Sequence, residues 1–171
     1  MISLAPTAVL NPPADRLRTA SQLKAHLMTS TLIASVLGGK QTLRAEPRTL
    51  AAWQAVVSKG VPIGSAEALK RRMDIGDDVL ARLLGLSERT LSRARAANAR
   101  LDPVVSDRLL RIARISALAI EVFEGEAQAM HWLKRPQVGL RGSTPLSLLT
   151  TDVGSAEVQN LLFRIEHGVY A

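Results

Sequence analysis

Between Asp77 and Ala96 the apolar positions fall into two short runs at helical spacing: Leu80, Ala81 and Leu84 in the first, Leu91 and Ala94 in the second. Gly85-Leu86-Ser87 separates them. The pattern predicts two helices meeting at a tight corner, a helix-turn-helix. Each corner residue suits its place. Ala81 is small where the second helix must approach, Gly85 can take the positive φ that ends a helix, Leu86 plugs the corner and Ser87 is a good N-cap. The second helix then exposes Glu88, Arg89, Thr90, Ser92, Arg93 and Arg95, the chemistry that reads base edges and phosphates. An ordinary helical hairpin shares the glycine and the spacing, so charge must decide between them.

The same reading extends along the chain. Residues 1–14, with Asn11-Pro12-Pro13, form an arm, and a helix is predicted from Arg16 to Leu37, ended by Gly38-Gly39. A second helix is expected to start at Pro47 and close at Lys59-Gly60. Val61 to Gly64 reads as a linker, and Ser65 as the cap of a helix through Arg72 with Leu69 and Met73 inward. Asp102-Pro103 starts a long helix from Val104 to Glu124, stopped by Gly125. Its first half carries Arg108, Arg111 and Arg114 on one stripe and Val105, Leu109 and Ile112 on another. Its second half, Ile115 to Phe123, is apolar nearly all round and must be covered as a junction between domains or subunits. Glu126 to Leu133 is a short helix. Thr144-Pro145 caps a brief helical turn, and a last helix starting at Gly154-Ser155 runs to Gly168 with Val158, Leu161, Leu162 and Ile165 on one side. The fold class is all-α, with an N-terminal extension over 1–60, a helix-turn-helix domain over 61–114 and a small helical domain over 115–171.

Charge favours an anionic partner. The net charge is +7 and the isoelectric point about 10.8. Eight arginines between Ala81 and Arg114 face only Glu88, Asp102 and Asp107, so much of the excess sits on the motif and the helix after it, the footprint of a phosphate-contacting face. Aromatic residues make up 3% of the chain, too few to stack single-stranded bases, which points to duplex DNA. There are no cysteines, and His26, His131 and His167 lie far apart, so no metal site or cofactor is expected. No nucleophile is paired with a base and no phosphate loop occurs, which argues against an enzyme. Neither a signal peptide nor a spanning segment is evident, so a cytoplasmic protein without a membrane partner is expected.

Three blocks resemble the Xre/MbcA/ParS family of bacterial antitoxins, partners of RES-domain toxins. They are Arg89-Thr90-Leu91-Ser92-Arg93, Ser106-Asp107-Arg108-Leu109-Leu110-Arg111, and a C-terminal run through Ala129, Trp132-Leu133, Pro136, Thr144-Pro145-Leu146, Gly154 and Arg164 to Ala171. The resemblance covers about Val61 to the end; Val105 and Ala94 depart from the family's more charged pattern. It implies an Xre-like helix-turn-helix domain joined to a toxin-binding domain in a homodimeric antitoxin. Such an antitoxin neutralises its RES toxin, whose fold is similar to ADP-ribosyl-transferring enzymes and which depletes NAD, and binds its own operator without any small-molecule substrate.

Candidate DNA-binding residues are Ser87, Arg89, Thr90, Ser92, Arg93, Arg95, Arg100 and Arg108, with Arg89 and Arg93 on base edges and Arg95, Arg100 and Arg108 on phosphates. Candidate toxin-binding residues are Trp132, Arg164, Glu166, His167, Gly168, Val169, Tyr170 and Ala171. Tyr170 and the Ala171 carboxylate are expected to plug the toxin's cleft, imitating part of NAD, unless Val169 and Tyr170 fold back on their own domain. The competing reading is a stand-alone helix-turn-helix regulator whose C-terminal domain senses a ligand or only dimerises.

Overall fold

A computed structural model describes residues 29–169. The expected arm, the first part of the expected N-terminal helix, and Tyr170 and Ala171 of the expected plug lie outside the described residues. Among those described there is no strand, only an isolated antiparallel bridge between Pro62 and Arg100. The molecule is all-α.

Helix α1 occupies 29–36, and Gly38 and Gly39, both at positive φ, turn the chain into α2 (Gly39–Leu43). Helix α3 is Leu50–Ser58. It starts three residues later than the Pro47 start expected, because the Thr49 hydroxyl accepts the Ala52 N–H at 3.2 Å and supplies the cap. Helix α4 is Ile63–Met73, so the expected linker is half helix. Its start is fixed by the bridge: Leu101 N–H donates to the Val61 carbonyl and Ile63 N–H to the Ala99 carbonyl, both at 2.9 Å. Ser65 is therefore no cap; its hydroxyl is buried within the helix.

Helices α5 (Asp77–Leu84) and α6 (Glu88–Ala96) form the corner, and α7 (Pro103–Val122) follows, capped by Asp102, which accepts from Val104 and Val105 N–H. At 20 residues, α7 is roughly 30 Å long. It ends earlier than expected: Glu124 takes the left-handed conformation at φ +50°, and Gly125 becomes the extended cap of α8 (Glu126–Leu133). A 3-10 turn at Val138–Leu140, α9 (Pro145–Leu148, capped by Thr144) and α10 (Asp152–Glu166) complete the fold. Thr151, not Gly154, opens α10. Gly154 lies in its first turn against the Leu148 carbonyl, where a Cβ would collide.

Helix α7 is the shared wall. It packs on α3 and α5 and also on α8 and α10, and the start of α10 reaches its first half, where Arg111 pairs with Asp152 at 3.3 Å. Leu109, Ile112 and Ala113 are buried along it, as are Ile115, Ser116, Ala117 and Ala119. The apolar second half is thus covered within the chain, as a junction between domains. Ser106 pins the first half: its hydroxyl accepts the buried Val61 N–H at 2.8 Å and donates to the Leu101 carbonyl at 3.2 Å, tying both arms of the bridge to α7. Ser106→Ala leaves the Val61 N–H buried and unpaired, and is expected to cost about 1–3 kcal/mol. A lower urea midpoint checks this; an unchanged midpoint contradicts it.

Candidate functional site

The corner closes as the sequence pattern predicts, with Gly85 at φ +67°. Gly85 N–H donates to Arg82 and Leu86 N–H to Ala81, which satisfies the last carbonyls of α5 in a Schellman turn. Ser87 caps α6, its hydroxyl accepting the Thr90 N–H at 3.1 Å and sharing a hydrogen bond with the Thr90 hydroxyl at 2.9 Å. Across the corner, Arg108 Nη1 from α7 donates to the Leu84 carbonyl at 3.0 Å. Its guanidinium lies where a Cβ on Gly85 would stand, so the glycine serves both the turn and the close approach. A cation at the negative end of α5 is favourable in itself.

Arg95 is held more firmly still. Its Nε and Nη2 donate to Glu67 Oε1 on α4 at 3.0 and 2.8 Å. Nη1 and Nη2 donate to the two oxygens of Asp77, at the start of α5, at 3.1 and 2.9 Å. Lys70 makes a short contact with the same Asp77 carboxylate. Hydrogen bonds from Arg95, then from Lys70, lower the Asp77 pKa from 3.8 to about 2, and Asp77 with Glu67 pushes Arg95 further toward the charged form. The residue expected on a phosphate is instead a brace among three helices, and Arg108 is half-buried with Nη1 engaged at the corner. Arg100 is exposed; only Nη1 is engaged, donating to the Gly60 carbonyl.

Arg89 and Arg93 differ. Both are exposed, they stand one turn apart on the outer face of α6, and neither has an ion pair or side-chain hydrogen bond among the described residues. Ser92 and the Thr90 side chain share that exposed surface. Glu67 and Asp77 carry no local signal for this role in the sequence, because the arginine they hold is 28 and 18 positions away, and Lys70 meets Asp77 seven positions on, across the turn between α4 and α5.

The remaining candidates belong to the C-terminal domain. Trp132 is half-buried, its ring 5.4 Å from Phe123, beside an open cavity of about 560 Å³ that His131, Arg135 and Gln137 also line. Arg164 is half-buried, while Glu166 and His167 are exposed at the end of α10, with His167 Nδ1 2.8 Å from the Phe163 carbonyl. Gly168, at φ +66°, and Val169 close that helix as Gly85 and Leu86 close α5: Gly168 N–H donates to Ile165 and Val169 N–H to Arg164. The Val169 side chain is 57% exposed. Trp132 and the α10 end are separate features, joined by no hydrogen bond or ion pair among the described residues.

Residues 52–114 match the family described as the antitoxin Xre-like helix-turn-helix domain, and residues 118–168 match the antitoxin Xre/MbcA/ParS C-terminal toxin-binding domain. Antitoxin Xre of Photorhabdus laumondii is 32% identical over 116 residues, 67% of this chain and 78% of the relative. Antitoxin Xre of Yersinia enterocolitica is 30% identical over 138 residues, 72% of this chain and 93% of the relative. This chain belongs to the Xre antitoxin family. A more distant relative, the Prs ADP-ribosylating antitoxin of a Sphingobium species, is 27% identical over 125 residues, 68% of this chain and 79% of that protein. As an Xre-family antitoxin the chain carries its helix-turn-helix on α5 and α6 and its toxin-binding domain from the second half of α7 to α10. No helix among the described residues is long and apolar enough to cross a membrane.

The brace gives the antitoxin an acid signature. Because the folded pKa of Asp77 is depressed, its contribution to stability is complete above the unfolded value of 3.8 and is lost as pH falls through about 2. Asp77→Asn is expected to lower stability at neutral pH and flatten the loss below pH 4, read by thermal unfolding at a series of pH values. Parallel pH profiles for the two proteins contradict the brace.

Proposed function

We propose that this antitoxin neutralises a cognate RES-domain, NAD-depleting toxin and binds duplex operator DNA to repress its own operon, as a homodimer in the cytoplasm and without catalytic activity of its own. The observation that carries the DNA half is the contrast among arginines on and around α6. Arg95 fixes the helix from behind and Arg108 holds the corner before it, while Arg89 and Arg93 stand exposed on its outer face and unpaired among the described residues. A helix so placed enters a major groove with its first turns, so Arg89 and Arg93 take base edges while Thr90 and Ser92 take phosphate or a thymine methyl group. Ser87 contributes by shaping the helix start.

The toxin half rests on the C-terminal domain. The chain leaves α10 at Gly168 with Val169 exposed and not folded into the core, which suits a tail that enters a partner's cleft. Arg164, Glu166 and His167 set its direction, and Trp132, apart from it, offers a second, apolar contact. The name of the Sphingobium relative couples an antitoxin to ADP-ribosylation, chemistry that consumes the same dinucleotide a RES toxin depletes.

Co-expression with the neighbouring reading frame tests the whole reading: a RES-type product that co-purifies and loses its NAD-consuming activity in the complex supports it. If no such partner is held and promoter DNA alone is bound, the chain is a stand-alone regulator. Deleting Val169 to Ala171 is expected to leave the protein folded while releasing NAD loss; full protection by the truncated chain contradicts the tail's role. Arg93→Ala is expected to cost roughly 1–3 kcal/mol of operator affinity and relax preference at one base pair, read by titration of duplex variants.

A further inference from the structure

The part of the described chain that precedes the matched domains folds onto them and changes their charged surface. The loop from Arg44 to Thr49, between α2 and α3, forms a ridge whose residues Ala45, Glu46 and Pro47 line a cleft on either side. One cleft, about 490 Å³, is bordered by Lys40, Arg48, Arg71 and Arg72. The other, about 350 Å³, is bordered by Arg44, Lys59 and Arg100. Glu46 is the only acid in either lining, and it already pairs with Lys40 at 3.2 Å. Arg44, Arg48, Lys59 and Arg71 are exposed and have no side-chain hydrogen bond or ion pair among the described residues.

We infer that this ridge and its two clefts form a basic wing that binds DNA backbone phosphates flanking the segment read by α6. The inference rests on the DNA reading above and extends it. Four free cations spread over both sides of a ridge suit a row of phosphates better than one small anion, which would need donors converging on a point. Neither cleft is lined by an aromatic ring, so nothing there stacks unpaired bases and the duplex backbone is the ligand that fits. The second cleft also continues from the recognition helix: Arg100 follows the end of α6 at Ala96 by four residues, at most about 14 Å of chain, within half a turn of duplex. Arg44 and Arg48 lie outside the residues matched by either family domain, so the wing is built in part by this chain's own extension.

The test is the salt dependence of binding to a duplex carrying the chain's own promoter, using the full chain and its Arg44→Gln/Arg48→Gln/Arg71→Gln variant, with thermal unfolding as a check that the variant folds. Each lost phosphate contact lowers the slope of log K against log salt by about 0.9, so losing all three makes the affinity fall between 50 and 200 mM salt roughly 40-fold smaller. Base preference is expected to be unchanged, and trimming the duplex flanks is expected to weaken the wild type more than the variant. A folded variant with wild-type slope and flank dependence overturns the wing while leaving the reading of α6 intact. A variant that keeps the DNA slope but no longer holds the toxin also overturns it and assigns the patch to the protein partner. Failure of the wild type itself to bind the duplex overturns the DNA reading with it.

Discussion

Of the nine residues of α6, Leu91 alone is buried, with Ala94 half-covered beside it. One leucine contributes about 1.5–3 kcal/mol of apolar burial, too narrow a stripe to fix the roll and tilt of the helix by itself. What removes that freedom is charge. The Arg95 guanidinium places four hydrogen bonds on two carboxylates, one from α4 and one from the first residue of α5, and the planar fork allows few arrangements that keep them all. Arg108 closes the same corner from α7. The exposed face of α6 is held in a fixed direction because its inner face is braced by ions rather than by a large apolar stripe.

That brace is connected to the rest of the molecule through α7, which belongs to both functional units. Its first two turns bury Val105, pin the bridge through Ser106 and supply Arg108; α8 and α10 pack along the rest, α10 from as far back as Arg111, which pairs with Asp152. Two ion pairs, Arg72 with Glu126 and Lys134 with Asp74, join α4 and its C-terminal cap to the toxin-binding domain. These exposed pairs contribute little energy each, and the buried helix does the coupling. The helix-turn-helix and the toxin-binding domain are therefore mounted on one stiff element.

Features that depend on neighbours in sequence were legible before the fold was known. Gly85, Ser87, Asp102 and Thr144 act within a few residues of themselves, and the apolar spacing around them marked the right helices. Boundaries shifted where two start signals competed: Thr49 prevailed over Pro47 and Thr151 over Gly154, since a hydroxyl that reaches a free N–H fixes the first turn more strongly than a compatible backbone does. The end of α7 was misplaced because Glu124 took a left-handed conformation where Gly125 looked the natural stop. Least legible was the division of labour among arginines. Arg93 and Arg95 are nearly adjacent and chemically identical, yet a difference of two residues on a helix turns one outward and the other onto carboxylates 28 and 18 positions away. No local pattern encodes that.

The side-chain Nε–H resonances of the arginines test this division directly, followed by nuclear magnetic resonance on the full chain as promoter duplex is added. Arg89 and Arg93 are expected to shift on binding, while Arg95, whose Nε–H is already held by Glu67, stays in place. A shift at Arg95 with none at Arg89 and Arg93 would contradict the account.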